Sequence, residues 1–107
     1  MEGLELTAFE IISAVGTARS SYIEAIQKAK EGDFEAAKKL IDEGDEMFIQ
    51  GHHAHSKLLT YEAEHGQGSA VAFIILHAED QLMSAEGFKI IALEFIDLYE
   101  KLAAKGI

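Results

Sequence analysis

The sequence predicts an all-α protein of three long antiparallel helices, and three observations carry that expectation. No proline occurs among the 107 residues, where average usage would supply roughly five, so nothing forces a helix to stop from within. Glycine instead marks the joints: Glu31-Gly32 and His65-Gly66-Gln67-Gly68 separate three blocks of helical periodicity. Hydrophobic residues make up 49% of the chain and charged ones 26%, a balance suited to one compact domain over residues 1–107.

The first helix ends near Lys30. It starts at Thr7, where Thr7 and Glu10 have capping-box spacing and Leu6 with Ile11 forms a hydrophobic staple, or it starts earlier. The second opens with Asp33 as N-cap and runs to about Glu64. Alternate steps of three and four from Phe34 reach Ala37, Ile41, Gly44, Phe48, Gly51, His55, Leu58 and Glu62, an unbroken seam that carries the helix through Gly44-Asp45. Gly44 and Gly51 admit a close neighbour, whereas His55 and Glu62 stand where apolar residues are expected, so they have partners or line a cleft. The third helix opens with Ser69 and runs to about Ala104, before Lys105-Gly106.

Helices of this length make a thin rod, the third on the order of 50 Å long at the usual rise. Its apolar residues wrap too far round for a lone three-helix bundle: Ile75, Leu76, Ile90 and Leu93 fall on the side of Glu79 and Glu86, while Phe73, Phe88, Ile91, Phe95 and Leu98 form what reads as the core stripe. Long helices of several chains sharing one core, a homo-oligomer, follow from this excess.

Composition removes several function classes. Without cysteine there is no disulfide framework, thiolate nucleophile or cysteine zinc site, and an intracellular home is the default. The first residues lack a signal-peptide pattern and no apolar run is long enough to span a bilayer, so a soluble protein is expected. A formal net charge of −10 repels phosphate backbones and anionic lipids, which argues against nucleic-acid binding and direct membrane adsorption. Neither nucleotide-binding glycine motif occurs, so phosphoryl chemistry would have to take its group from another protein.

The residues that carry chemistry lie on the third helix. His77, Asp80, Gln81 and Ser84 share the greasy stripe, His77 being three residues from Asp80 and four from Gln81, while Glu79 and Glu86 point away and read as solvated charges. A lone histidine there would read as a satisfied core residue, but a cluster of four polar groups persists only if mutually satisfied or functional, since each unpartnered one costs roughly 1 to 3 kcal/mol. Two metal readings are weaker: Glu62 to His65 has the Glu-x-x-His spacing of di-iron bundles without a second motif, and His52 with His55 has helical spacing for a metal.

At Leu76-His77-Ala78-Glu79-Asp80-Gln81-Leu82-Met83 the chain resembles the lactose/cellobiose-type enzyme IIA family of the bacterial phosphoenolpyruvate-dependent sugar phosphotransferase system (PTS), whose pattern there is H-A-x-D-x-L-M. Gly16-Thr17-Ala18-Arg19-Ser20 is similar to its G-x-A-R-S, Glu31-Gly32-Asp33-Phe34 to its helix junction, and His52, Leu58-Leu59 and Glu62-Ala63 to its second-helix pattern. The resemblance implies a homotrimeric nine-helix bundle in the cytoplasm, in which His77 accepts a phosphoryl group from the phosphocarrier HPr and passes it to a cysteine of enzyme IIB. It implies that Asp80 lies on the trimer axis, where three copies hold Mg²⁺ or a similar divalent cation, and that the membrane is met only through the sugar permease. Glu79 and His55 stand where the family commonly has glutamine, and Gln81 where it has histidine; His55 and Gln81 look like an exchange, and His55, Gln81 and Ser84 are the candidate donors to phosphoryl oxygens. Neutral imidazole suits the role, being nucleophilic near pH 7 and giving a labile phosphohistidine. The competing reading is a structural oligomerisation module whose buried histidine and aspartate fix helix register.

Overall fold

Small residues, more than the largest side chains, line the surfaces on which the helices meet. The computed structural model describes residues 2–65 and 72–107, arranged as helices α1 (Glu2–Lys30), α2 (Phe34–His65) and α3 (Ala72–Ala104) in a rod 58 Å long and 16 to 17 Å across. On α1 the buried line is Leu4, Ala8, Ile11, Val15, Ala18, Tyr22, Ala25 and Ala29, alternate steps of four and three along the helix. The seam read for α2 holds: Ala37, Ile41, Gly44, Gly51 and Leu58 are buried, Phe34, Phe48 and His55 half-buried. The side chain of Glu62 lies outside the described residues, as does Ser69.

Both seam glycines touch α1. A Cβ on Gly44 would lie 2.6 Å from Cε1 of Tyr22, and one on Gly51 2.5 Å from Cγ1 of Val15, so the helix axes could not stay this close with any other residue. Just past Gly44, Asp45 ties the three helices together. Its Oδ1 accepts a 2.7 Å hydrogen bond from the Tyr22 hydroxyl and lies 3.0 Å from Nζ of Lys89 on α3. Burial first, then the hydrogen bond to Asp45 and that carboxylate's charge, push the Tyr22 phenol above its ordinary range, so it stays a donor.

One turn joins α1 to α2. Gly32 takes φ +84°, the Asp33 amide donates to the Lys28 carbonyl at 2.9 Å and the Gly32 amide to Ala29 at 3.0 Å, closing α1 in a Schellman motif. Asp33 then caps α2 as the sequence predicts, its Oδ1 accepting from the Ala36 amide at 3.2 Å. The pairs Tyr22–Asp45, Lys38–Glu100, Asp45–Lys89 and His55–Glu79 run in opposite senses along α2 and its neighbours, so α2 is antiparallel to both and α1 runs parallel to α3.

Of the two starts open for α1, the earlier one holds: the helix runs from Glu2, so no capping box or staple forms at Thr7, whose hydroxyl donates back to the Gly3 carbonyl at 2.8 Å while Leu6 is exposed. The stripe on α3 is displaced. Ile75, Ala78, Ala85, Ala92 and Ile96 face the other helices and Phe88 packs half-buried against them as read, while Ile91, Phe95 and Leu98 are 47%, 37% and 48% exposed; the side chain of Phe73 lies outside the described residues. Alanines spaced seven apart let α3 approach its neighbours closely along that line, which turns Ile91, Phe95 and Leu98 outward.

Candidate functional site

His77 projects from α3 on the border between its packed side and its exposed apolar strip. The side chain is exposed, and it has no hydrogen-bond or ion-pair partner among the described residues. Ala78 behind it is fully buried and packs with Ile11, Val15 and Leu58, which fixes this stretch of helix while leaving the imidazole open to a reactant. Gln81, one turn on, is half-buried and also without a partner among the described residues, and Asp80 is exposed.

Ser84 and His55 belong to other contacts. Ser84 Oγ accepts a 3.3 Å hydrogen bond from Nη1 of Arg19 on α1. Seven residues of helix put Ser84 on the order of 10 Å from His77 along the axis. His55 reaches α3 at Glu79: Nε2 and Oε2 are 2.9 Å apart, with the imidazole mostly sheltered and the carboxylate about one-third exposed. Glu79 is therefore half-buried and paired with His55, contrary to its reading as a solvated charge. Two residues along a helix turn the side chain roughly 200°, so this pair lies on the far side of α3 from His77.

His52 and His53 are exposed, and no group of three or more His, Cys, Asp or Glu side chains among the described residues could hold a metal ion within one chain. The side chains of Glu62 and His65 lie outside the described residues. No helix among the described residues is long and apolar enough to cross a membrane.

Comparison with known proteins assigns this architecture. The family "PTS system, Lactose/Cellobiose specific IIA subunit" matches residues 6–100. The chain belongs to that family. It is 40% identical over 101 residues to the lichenan-specific phosphotransferase enzyme IIA component of Bacillus subtilis, covering 94% of this chain and 91% of that protein. It is 35% identical over 98 residues to the lactose-specific EIIA component of Staphylococcus epidermidis, covering 92% and 93%. The crystal structure of the cellobiose-specific enzyme IIA from Bacillus anthracis superposes with a TM-score of 0.90 at 37% identity, over 98% of this chain and 95% of that one.

Within this IIA chain, two of the departures from the family pattern are the residues that the fold pairs. His55 and Glu79, the two positions at which the resemblance leads one to expect glutamine, meet in an imidazole–carboxylate contact. Two site neighbours escaped the sequence reading. Arg19 could have been singled out as the one arginine of an acidic chain; Glu79 was signalled by the seven-residue spacing of Ala78, Ala85 and Ala92, which marks the packed side of α3.

Proposed function

We propose that this chain is the phosphocarrier of a PTS sugar-uptake route, a phosphotransferase component in which His77 takes a phosphoryl group from phospho-HPr and gives it to the cysteine of its enzyme IIB in the cytoplasm, for phosphorylation of a β-linked disaccharide of the lactose, cellobiose or chitobiose class. The observation that carries this is an exposed His77, with no partner among the described residues, within the H-A-x-D motif of a chain matched over residues 6–100 by the family. The relatives named for lichenan, lactose and cellobiose support the substrate class.

The chemistry needs position and charge stabilisation more than covalent machinery. The unprotonated nitrogen of neutral His77 attacks phosphorus in line; the new P–N bond forms as the bond to the donor imidazole breaks, the leaving nitrogen keeps its electron pair, and the second His77 nitrogen keeps its proton. Onward transfer forms a P–S bond to the thiolate of IIB as the P–N bond to His77 breaks. Gln81, one turn from His77, is the nearest candidate donor to the phosphoryl oxygens. Ser84 stands further along the face, and His55, engaged by Glu79, acts at most through α3.

The chain works as a homotrimer closed on the outer face of α3. Asp80 sits on that face with exposed Leu76 and Met83 and has no cationic partner among the described residues. One carboxylate per chain makes no metal site alone, but three hard oxygen donors at a threefold axis suit Mg²⁺ or a similar cation, held directly or through water. Asp80 would hold it, and the ion would supply neutralisation of three like charges.

Incubation with phosphoenolpyruvate, enzyme I and HPr, followed by intact-mass measurement, tests the reading. One added phosphoryl group per chain, labile to acid, stable to base and lost in His77→Ala, is expected. An unlabelled parent, the outcome required by a purely structural oligomerisation module, or continued labelling of His77→Ala would refute it.

A further inference from the structure

Arg19 is the one arginine of a chain with formal net charge −10. It is half-buried on the side of α1 that flanks the His77 border of α3, and its Nη1 donates to Ser84 Oγ at 3.3 Å. Lys28, Lys38, Lys89 and Lys101 each pair with a carboxylate within 4 Å; Lys30, Lys39, Lys57 and Lys105 do not, but they are exposed, so Arg19 is the half-buried cation without a carboxylate among the described residues. A guanidinium offers five donors. One long bond to a neutral hydroxyl answers one of them and none of the charge, and sheltering a cation without a counter-charge is unfavourable. An acid-rich chain that leaves this cation unpaired holds it ready for a negative charge that arrives from outside.

Gly16 points the same way. A Cβ there would meet nothing within 4 Å, unlike Gly44 and Gly51, whose neighbours require glycine. Glycine weakens a helix interior, and no packing within the chain explains this one. α1 and α3 run parallel with Arg19 level with Ser84, so Gly16, three residues earlier, is level with Gln81. Open space therefore flanks α1 beside Gly16, one turn before Arg19 and level with Gln81.

We propose that Arg19 is an electrostatic positioning residue for phosphoryl transfer at His77, held on the border of α3 by Ser84 and offsetting the charge of the incoming group. The inference rests on the phosphocarrier reading. A bound phosphoryl group carries about two negative charges, and a separation on the order of 10 Å lies near the screening length at physiological salt. The effect is thus a rate factor that salt erodes, without direct contact.

Single-turnover phosphate uptake from saturating phospho-HPr, at low and high salt, tests it. Arg19→Gln keeps a donor for Ser84 and removes the charge; uptake should slow about tenfold at low salt, with the deficit shrinking at high salt. Arg19→Lys should restore most of the rate, and Ser84→Ala, which leaves the cation in place, should slow uptake less than Arg19→Gln. Uptake by Arg19→Gln at the parent rate, a deficit indifferent to salt, or Arg19→Lys as slow as Arg19→Gln overturns the proposal. Should circular dichroism show that Arg19→Gln loses its helices, Arg19→Lys and Ser84→Ala decide it, since each must keep at least about a third of the parent rate. A parent that takes up no phosphate defeats the phosphocarrier reading itself; a labelled parent indifferent to Arg19 defeats only this inference.

Discussion

Replacing Gly44 by alanine sets two effects of opposite sign against each other, and the structure decides which wins. In an open helix interior the change would stabilise by about 1 kcal/mol through helix propensity. Here the new methyl would lie 2.6 Å from Cε1 and 2.9 Å from Cδ1 of Tyr22, against an ordinary contact beginning near 3.4 Å. The ring cannot swing aside freely, because Tyr22 is fully buried and its hydroxyl is bonded at 2.7 Å to Asp45, which is itself held by Lys89. Overpacking of this kind costs about 1 to 3 kcal/mol, and loosening a hydrogen bond to a charged acceptor adds about 1.5 to 3 kcal/mol. The expected net loss is about 2 to 4 kcal/mol, a fall in melting temperature on the order of 10 to 20 °C for a chain of this size. Guanidinium unfolding followed by circular dichroism at fixed protein concentration measures it. The diagnostic step is a cycle with Tyr22→Leu: once the ring is gone, Gly44→Ala should become neutral or stabilising. A variant as stable as the parent, or an equal loss in both backgrounds, would refute the close approach of α1 and α2 at this point.

Three further outcomes follow from the geometry. His77→Ala removes a side chain with no partner among the described residues, so it should abolish phosphate uptake while leaving the helical signal and the light-scattering mass unchanged; loss of assembly would count against the assignment. His55→Gln and Glu79→Gln should each cost about 0.5 to 1 kcal/mol, discounted because the carboxylate is part-exposed, and the double variant should recover part of that through an amide pair. Since the pair lies across α3 from His77, uptake should stay within about twofold of the parent, and zero coupling energy or a large rate loss would contradict the contact. Asp80→Leu should keep the trimer mass and melt at the same temperature or higher, because apolar substitutes for clustered charge are often neutral or stabilising; a parent that scatters as a monomer or dimer at micromolar concentration, or a variant that dissociates, would refute the axial placement.

The elements were legible because their signals are local. Asp33 caps α2, Gly32 closes α1, and the α2 seam from Phe34 to Leu58 has the spacing its burial shows. The start of α1 was not, since Thr7 has one hydroxyl and two uses for it, and the choice to bond Gly3 depends on residues upstream that carry no helix-start signal. The packed side of α3 was misread for a different reason. Hydrophobicity ranks Phe95 and Ile91 above Ala85 and Ala92, but in a bundle whose neighbours are alanine and glycine the decisive quantity is side-chain volume. The same rotation of α3 about its axis decides Glu79, which reads as solvated from the sequence and is paired with His55 in the fold. The spacing that links His77, Asp80 and Gln81 does not depend on that rotation.

The rotation of α3 also connects the site to assembly. Leu76, Met83 and Ile90 are 61%, 71% and 59% exposed, and together with Ile91 and Leu98 they form a continuous strip along one helix. Single exposed apolar residues are ordinary, but a contiguous strip marks a surface that another protein covers. Advancing each residue by about 100° puts Asp80 and Gly87 along the middle of the strip and His77 at its α1 edge. A second and third copy seated on the strip would enclose Asp80 and leave His77 at the lip of the contact, between its own α1 and the arriving chain. Covering that strip would shelter the phosphoryl group from water on one flank while the other stays open to a donor or acceptor, so trimer formation and phosphoryl transfer would draw on the same face of one helix.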